Sequence, residues 1–283
     1  MKTIKITKMQ GCGNDFVILD YSEYEKTGLS MSDLAKKLCD RHFGIGADGM
    51  IIPDTKPNGE TDIAWYFYNS DGTTAQMCGN GMRCFAKYAI DNKLVDKTTF
   101  SVETLAGIIK PELLENGFIK VNMGKPSFIS SDIPVSGEVR EVIKEAFVFH
   151  GKEYKATCLT VGNPHCIIFT DNVSAEAVKN LGPYVENANE FPERMNLQIC
   201  RQIDKGNLDI EIWERGSGYT KASGTGSCAA AAAAYKLGLV ESRINVNQPG
   251  GMIQIDIEED GTIYMTGTVG YIADMSVAES FFS

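Results

Sequence analysis

Apolar residues alternate with polar ones near the start of the chain (Ile4, Ile6) and then run together at Phe16-Val17-Ile18-Leu19, on either side of Gly11-Cys12-Gly13-Asn14-Asp15. A period-two pattern and a β-branched run around a glycine-rich break predict a strand over 2–8, a turn carrying Asn14, and a strand over 16–20. Leu34, Ala35, Leu38 and Cys39 then recur at helical spacing behind Ser30, which predicts a Ser-capped helix ending near Asp40. Ile63–Tyr68 is rich in strand formers and runs into Asn69-Ser70-Asp71-Gly72, a turn by composition. Further strands are expected over Thr99–Leu105, Ile108–Leu114 and Gly117–Asn122. Lys125-Pro126 and the polar stretch 129–138 read as a crossover. The second half predicts strands near 146–150, 154–161, 166–170, 195–203, 208–214, 252–258 and 262–269, with a helix near 174–181.

One pattern occurs twice. Met77-Cys78-Gly79-Asn80-Gly81-Met82-Arg83-Cys84 precedes a helical run from Phe85 to Asp91, and Ala222-Ser223-Gly224-Thr225-Gly226-Ser227-Cys228 precedes another from Ala229 to Lys236. A shift of 145 places Gly79 on Gly224, Gly81 on Gly226 and Asn69-Ser70-Asp71-Gly72 on Glu214-Arg215-Gly216-Ser217. A shift of 149 places Gly13-Asn14-Asp15-Phe16 on Gly162-Asn163-Pro164-His165. Offsets near half the length imply two related halves. We expect domains over 1–122 and 123–264, with a tail from about 265–283 returning to the first. Each Gly-polar-Gly turn would set a Cys or Ser at a helix N-terminus, where N–H groups and the positive end of the dipole favour an anion.

Composition narrows the classes. With 283 residues and 43% hydrophobic content, the chain can bury a core in each half. A formal charge of −10 argues against nucleic acid or an anionic membrane as a partner. Neither an apolar run of membrane-spanning length nor an export leader is visible, so a cytoplasmic location is expected. The eight cysteines then read as reduced thiols, and the lack of any C-x-x-C pair, with only three histidines, argues against a zinc site. Gly44-Ile45-Gly46-Ala47-Asp48-Gly49 matches G-x-G-x-x-G, but a helix precedes it and the apolar run Met50-Ile51-Ile52 follows. A dinucleotide site needs the reverse order.

Taken together, Gly13-Asn14-Asp15-Phe16, Asn69-Ser70-Asp71-Gly72, the Cys78 turn, Gly162-Asn163-Pro164-His165, Asn196 and Glu214-Arg215-Gly216 followed by Gly224-Thr225-Gly226 resemble diaminopimelate epimerase along essentially the whole chain. The resemblance implies an α/β protein of two pseudo-symmetric domains, each a mixed curved sheet or barrel around a central helix, with the site in the cleft between them. It implies a homodimer and an isomerase that needs no cofactor, moving a proton off the α-carbon of a small amino-acid substrate on one face and returning one on the other. That reaction interconverts L,L- and meso-diaminopimelate for lysine and cell-wall precursor synthesis.

By the same resemblance Cys78 is one catalytic residue. The family's second cysteine position holds Ser223. A hydroxyl is a far weaker acid than a thiol and a poor general base unaided. Ser223 therefore stands open to three readings: a Cys→Ser replacement that traps substrate, a natural branch with a related proton transfer, or relief by neighbouring Cys228. His165 and Glu214 would orient or activate the acid/base pair, with either assignment open. Gly79, Asn80, Gly224 and Thr225 would bind the reacting carboxylate, and Asn14, Asn69, Asn163, Asn196 and Arg215 the rest of the substrate. Tyr219 and Gly49 stand near positions that often carry Glu and Gln.

Two other functions fit the same residues: racemisation of another amino acid such as histidine, or amino-acid binding without turnover. Singly, each Asn is most simply a turn or cap residue, and the other cysteines are small core hydrophobes.

Overall fold

The structure is a computed structural model and describes residues 3–57, 59–74 and 77–282. In chain order, β1 (Thr3–Gly11) and β2 (Asn14–Ile18) are followed by a short α1 (Tyr21–Tyr24) and by α2 (Met31–Cys39). Next come β3 (Gly49–Asp54), β4 (Ile63–Asn69) and α3 (Gly79–Asp91). Four short strands continue as β5 (Val102–Thr104), β6 (Gly107–Ile109), β7 (Pro111–Leu113) and β8 (Ile119–Asn122). Then β9 (Glu145–Phe149), β10 (Lys152–Thr160) and β11 (Pro164–Phe169) lead to α4 (Ala175–Glu186). After β12 (Asn196–Asp204), β13 (Asn207–Glu214) and β14 (Gly218–Thr220) comes α5 (Gly224–Lys236). The chain finishes with β15 (Arg243–Gln248), β16 (Gly251–Ile257), β17 (Ile263–Gly267) and β18 (Gly270–Ala278). Two mixed sheets and few helices make this an α/β fold.

Contacts divide the chain into Met1–Val121 with Gly267–Ser283, and Asn122–Thr266. In the first unit the sheet runs β18-β1-β2-β3-β4-β5-β6, parallel at β2/β3 and β4/β5 and antiparallel elsewhere. Helix α3 packs on β1, β2 and β3 and buries Met82, Cys84, Phe85, Ala86 and Ala89. Around α2 the core joins Ile4, Ile6, Val17, Leu19, Leu34, Leu38 and Ile52. The Asp33 amide donates to Ser30 Oγ at 3.1 Å, which starts α2 where a Ser cap was expected.

The second unit orders its strands β17-β16-β15-β13-β12-β11-β10-β9, with β14 paired to β13. Helix α5 touches β10, β11, β12, β13, β15 and β16, so this sheet curls around it. Ala229 to Ala234 are all buried, and their small side chains let strands approach a helix from most directions. Elsewhere in the unit α4 packs on β12, β13 and β14, with Val178, Leu181, Val185, Leu197 and a cluster of Phe147, Phe149 and Phe191.

Three expectations change. Helices α3 and α5 start at Gly79 and Gly224 rather than at Phe85 and Ala229, because Cys78 and Ser223 are themselves the caps and their glycines lie within the first turn. Helix α4 continues past Gly182-Pro183 to Glu186, held by Leu181 and Val185 in the core. Strands β14, β15 and β18 were not read from the sequence. The last is an edge strand whose Tyr271 and Ile272 are exposed, so it lacks a clean apolar face.

Candidate active site

In the first unit the site is built on the start of α3. Cys78 has extended backbone angles (φ −140°, ψ 113°), and its Sγ accepts the Gly81 N–H at 3.4 Å. The thiol donates to Asn14 Oδ1, 3.7 Å away, and Asn80 Nδ2 donates to the same oxygen at 3.4 Å. Both amides are oriented from outside. Asn14 Nδ2 donates to Asp48 Oδ2 at 2.5 Å, and Asn80 Oδ1 accepts from the fully buried Arg83 at 3.0 Å. An ionised carboxylate can only accept and a guanidinium can only donate. Asn14 must therefore show its carbonyl to Cys78.

Asp48 is fixed in turn. Arg41 Nη2 bonds Asp48 at 2.6 Å and Asp15 at 2.8 Å, and Lys8 reaches Asp15 at 3.0 Å. Burial disfavours the charged form of Asp15, but hydrogen bonds from Arg41 and Lys8 outweigh it and hold the carboxyl below the ordinary value. Asn69 ends β4 opposite Gly49 and donates to Thr73 Oγ1 at 3.0 Å. A Cβ on Gly49 would lie 2.8 Å from Phe67 Cε2 and 2.9 Å from Tyr68 O, so this backbone path leaves no room for a glutamine.

The second unit repeats the cap. Ser223 has nearly the same backbone angles (φ −144°, ψ 120°), and its Oγ accepts the Gly226 N–H at 3.1 Å. Gln248 Oε1 accepts the Ser223 N–H at 2.9 Å, and Ser227 Oγ donates to Ser223 O at 2.8 Å. In each turn the first helical N–H groups, at Gly79 and Asn80 or Gly224 and Thr225, have no carbonyl one turn earlier in the helix to bond. Such groups favour a carboxylate.

His165 connects to the second turn through Asn163. Its Nε2 is 3.0 Å from Asn163 Oδ1, and Asn163 Nδ2 is 3.4 Å from Thr225 Oγ1; its Nδ1 is 2.9 Å from Gln198 Oε1. Burial drives the imidazole's pKa down to about 4, opposed by the Gln198 bond and assisted by the charge of Arg215. His165 is neutral at pH 7. Glu214 pairs in register with Gly218, while His165 is engaged by Gln198 and Asn163 instead.

Asn196 is buried and occupied. Its Nδ2 donates to Pro164 O at 2.7 Å, and its Oδ1 accepts the Arg215 N–H at 2.9 Å. The Arg215 side chain donates to Glu193 O at 2.7 Å. Tyr219 has a hydrogen bond with Glu211, and Lys179 Nζ lies 4.4 Å from its ring centre.

Sequence reasoning missed Asp48, Arg83, Glu186, Gln198 and Gln248. Gln198 had a signal, since it lies two residues past Asn196 on one strand and so on the same face. Arg83 sits inside the repeated motif. Among the described residues no group of three or more His, Cys, Asp or Glu could hold a metal ion. No helix there is long and apolar enough to cross a membrane.

Solved structures first define the fold class, a mixed α/β fold shared with proteins of several activities. A hydroxyproline epimerase from Agrobacterium vitis, with bound trans-4-hydroxy-L-proline, matches with a TM-score of 0.67 at 12% identity, over 98% of this chain and 92% of that one. A probable proline racemase from Agrobacterium radiobacter K84 matches with a TM-score of 0.69 at 13% identity, over 97% and 93%. The sequence profile of diaminopimelate epimerase matches residues 6–129 and 157–272. The diaminopimelate epimerase of Caldanaerobacter subterraneus subsp. tengcongensis is 43% identical over 270 residues, 94% of this chain and 96% of that protein. Diaminopimelate epimerase 2 of Nostoc sp. PCC 7120 is 40% identical over 281 residues, 99% and 98%. The chain belongs to the diaminopimelate epimerase family and is an isomerase.

Proposed function

We propose that this chain interconverts L,L- and meso-diaminopimelate by proton transfer at the α-carbon, with Cys78 and Ser223 as the two acid/base residues. The observation that carries this reading is the duplicated cap, in which Cys78 and Ser223 hold the same backbone conformation and the same bond to the third residue of their helix.

An α-hydrogen beside an ammonium and a carboxylate is very weakly acidic, so the carboxylate's growing charge needs donors already in place. The first-turn N–H groups of α3 and α5, with Asn80 and Thr225, supply them. Cys78 is the stronger acid/base group. In the resting state its S–H points to Asn14, and it becomes a base once that proton leaves. Ser223 holds the same place in its own turn and donates through its hydroxyl. Neutral His165 is tied through Asn163 to Thr225 in the Ser223 turn, with Gln198 on its other nitrogen. Glu214 orients or activates one of the acid/base residues, and Arg215 takes up the remote end of the substrate together with Asn69. The family reading extends to a cytoplasmic homodimer.

A second reading has a specific observation behind it. Asn196 spends both polar atoms on backbone, and Gly49 and Tyr219 replace longer polar and acidic groups, which suits an amino acid with a different side chain. Incubation with L,L-diaminopimelate and separately with L-histidine, followed by chiral chromatography, distinguishes the two. Formation of the meso form supports the proposal; D-histidine without any meso-diaminopimelate rejects it.

A further inference from the structure

Gln198 lies on β12 and is completely buried. Its Oε1 meets His165 Nδ1, and its Nε2 is a buried nitrogen with no hydrogen-bond partner. That nitrogen faces the first turn of α5. A Cβ on Gly226 would stand 2.9 Å from Gln198 Nε2 and 3.1 Å from Ser223 Oγ, so the space left by the missing methyl is bordered by the carboxamide and by the serine. The matching glycine of the first unit, Gly81, faces ring carbons of Phe16 at 3.5 Å. Cys78 has an apolar neighbour across its turn. Ser223 has a buried carboxamide across its turn, whose nitrogen makes no hydrogen bond.

A buried donor left unpaired is costly, and such groups in folded proteins commonly mark function. The imidazole next to it adds a constraint. A neutral ring donates through one nitrogen and accepts through the other, so one of its two flanking amides must present NH2 to it. If Gln198 does so, its carbonyl faces Gly226 and Ser223. If Asn163 does so, the Gln198 NH2 faces them. The tautomer of His165 thus sets whether the serine turn meets an acceptor or a donor.

We propose that Gln198 is a positioning residue for Ser223: a buried carboxamide that couples the serine turn to His165 and lets a hydroxyl serve where a thiol would otherwise be needed. The inference rests on the reading that Ser223 takes one acid/base role. With the carbonyl turned inward, Gln198 accepts the Ser223 O–H and aims it. When Ser223 passes that proton to the α-carbon, the negative charge left on Oγ is met by the Gly226 N–H. The reverse step returns the proton.

The test compares Gln198→Met, similar in length but without amide groups, and Gln198→Glu, in the native and in the Ser223→Cys backgrounds. Inversion of diaminopimelate and histidine 15N spectra are measured on each. The expected result is a loss of about 10²-fold in the inversion rate with Ser223, less than about 3-fold with Ser223→Cys, little change in KM, and an altered His165 tautomer ratio. Equal losses in both backgrounds, or no loss with Ser223, would overturn the proposal. If no form turns over diaminopimelate, the functional reading fails separately and the His165 spectrum decides the coupling: an unchanged tautomer ratio in both Gln198 variants rejects it.

Discussion

Glu186 closes the loop that carries Arg215, and replacing it with Gln tests how that loop is held. Its Oε1 accepts from Arg194 Nη1 and from the Gly216 N–H, each at 2.8 Å, and its Oε2 accepts from Trp213 Nε1 at 2.7 Å. Glu186 is only 6% exposed, so these three donors are its carboxylate's solvation. In Glu186→Gln the amide carbonyl can still serve two of them. The NH2 then meets Trp213 Nε1–H, donor against donor. Hydrogen bonds to charged groups are worth about 1.5–3 kcal/mol each, and the Arg194 bond is discounted because that side chain is 53% exposed. The net loss should be about 2–3 kcal/mol, or a fall in Tm of about 4–12 °C at about 2–4 °C per kcal/mol. Calorimetry measures the first effect and steady-state kinetics the second, a rise in KM larger than the fall in kcat as Arg215 loosens. An unchanged Tm, or a loss confined to kcat, would refute the reasoning.

Further outcomes follow from single distances and burials. Gly182→Ala sets a Cβ 2.3 Å from Trp213 Cγ and should cost at least about 3 kcal/mol in urea unfolding, at or above the upper end of ordinary overpacking. His165 titrates near 4 when folded and near 6.5 when unfolded, so the unfolded chain binds the extra proton in that window. Stability should therefore fall by about 3 kcal/mol as pH drops from 6.5 to 4, and pH-dependent melts of His165→Asn should lack that slope. Iodoacetamide should label Cys78 before the seven buried cysteines, with diaminopimelate slowing it; mass spectrometry showing another cysteine first would contradict the site.

Much of the candidate site is legible in residue order because it is local. Two Gly-polar-Gly turns, each behind a Cys or Ser and ahead of an apolar helix, announce themselves within a dozen residues. The strand pair around Asn14 is equally local, and so is the Ser30 cap. What escaped depends on distant pairings. Gln198 gains its meaning from His165 on the neighbouring strand and from Gly226 on a helix. Gln248 is 25 residues from the Ser223 amide that it accepts. Gly182-Pro183 reads as a helix end, yet Trp213 needs the glycine's bare face and the core keeps the helix going. Asn196 reads as a substrate ligand from its motif, and in the fold it also bonds its neighbours Pro164 and Arg215, one hydrogen bond from each polar atom.

The central claim is that Cys78 and Ser223 together invert an α-carbon. The most direct measurement is the configuration and deuterium content of diaminopimelate after incubation in heavy water, for the native chain, Ser223→Ala and Ser223→Cys. The account predicts inversion with deuterium at the α-carbon for the native chain, loss of inversion in Ser223→Ala, and faster inversion in Ser223→Cys. Inversion at the native rate in Ser223→Ala would contradict it.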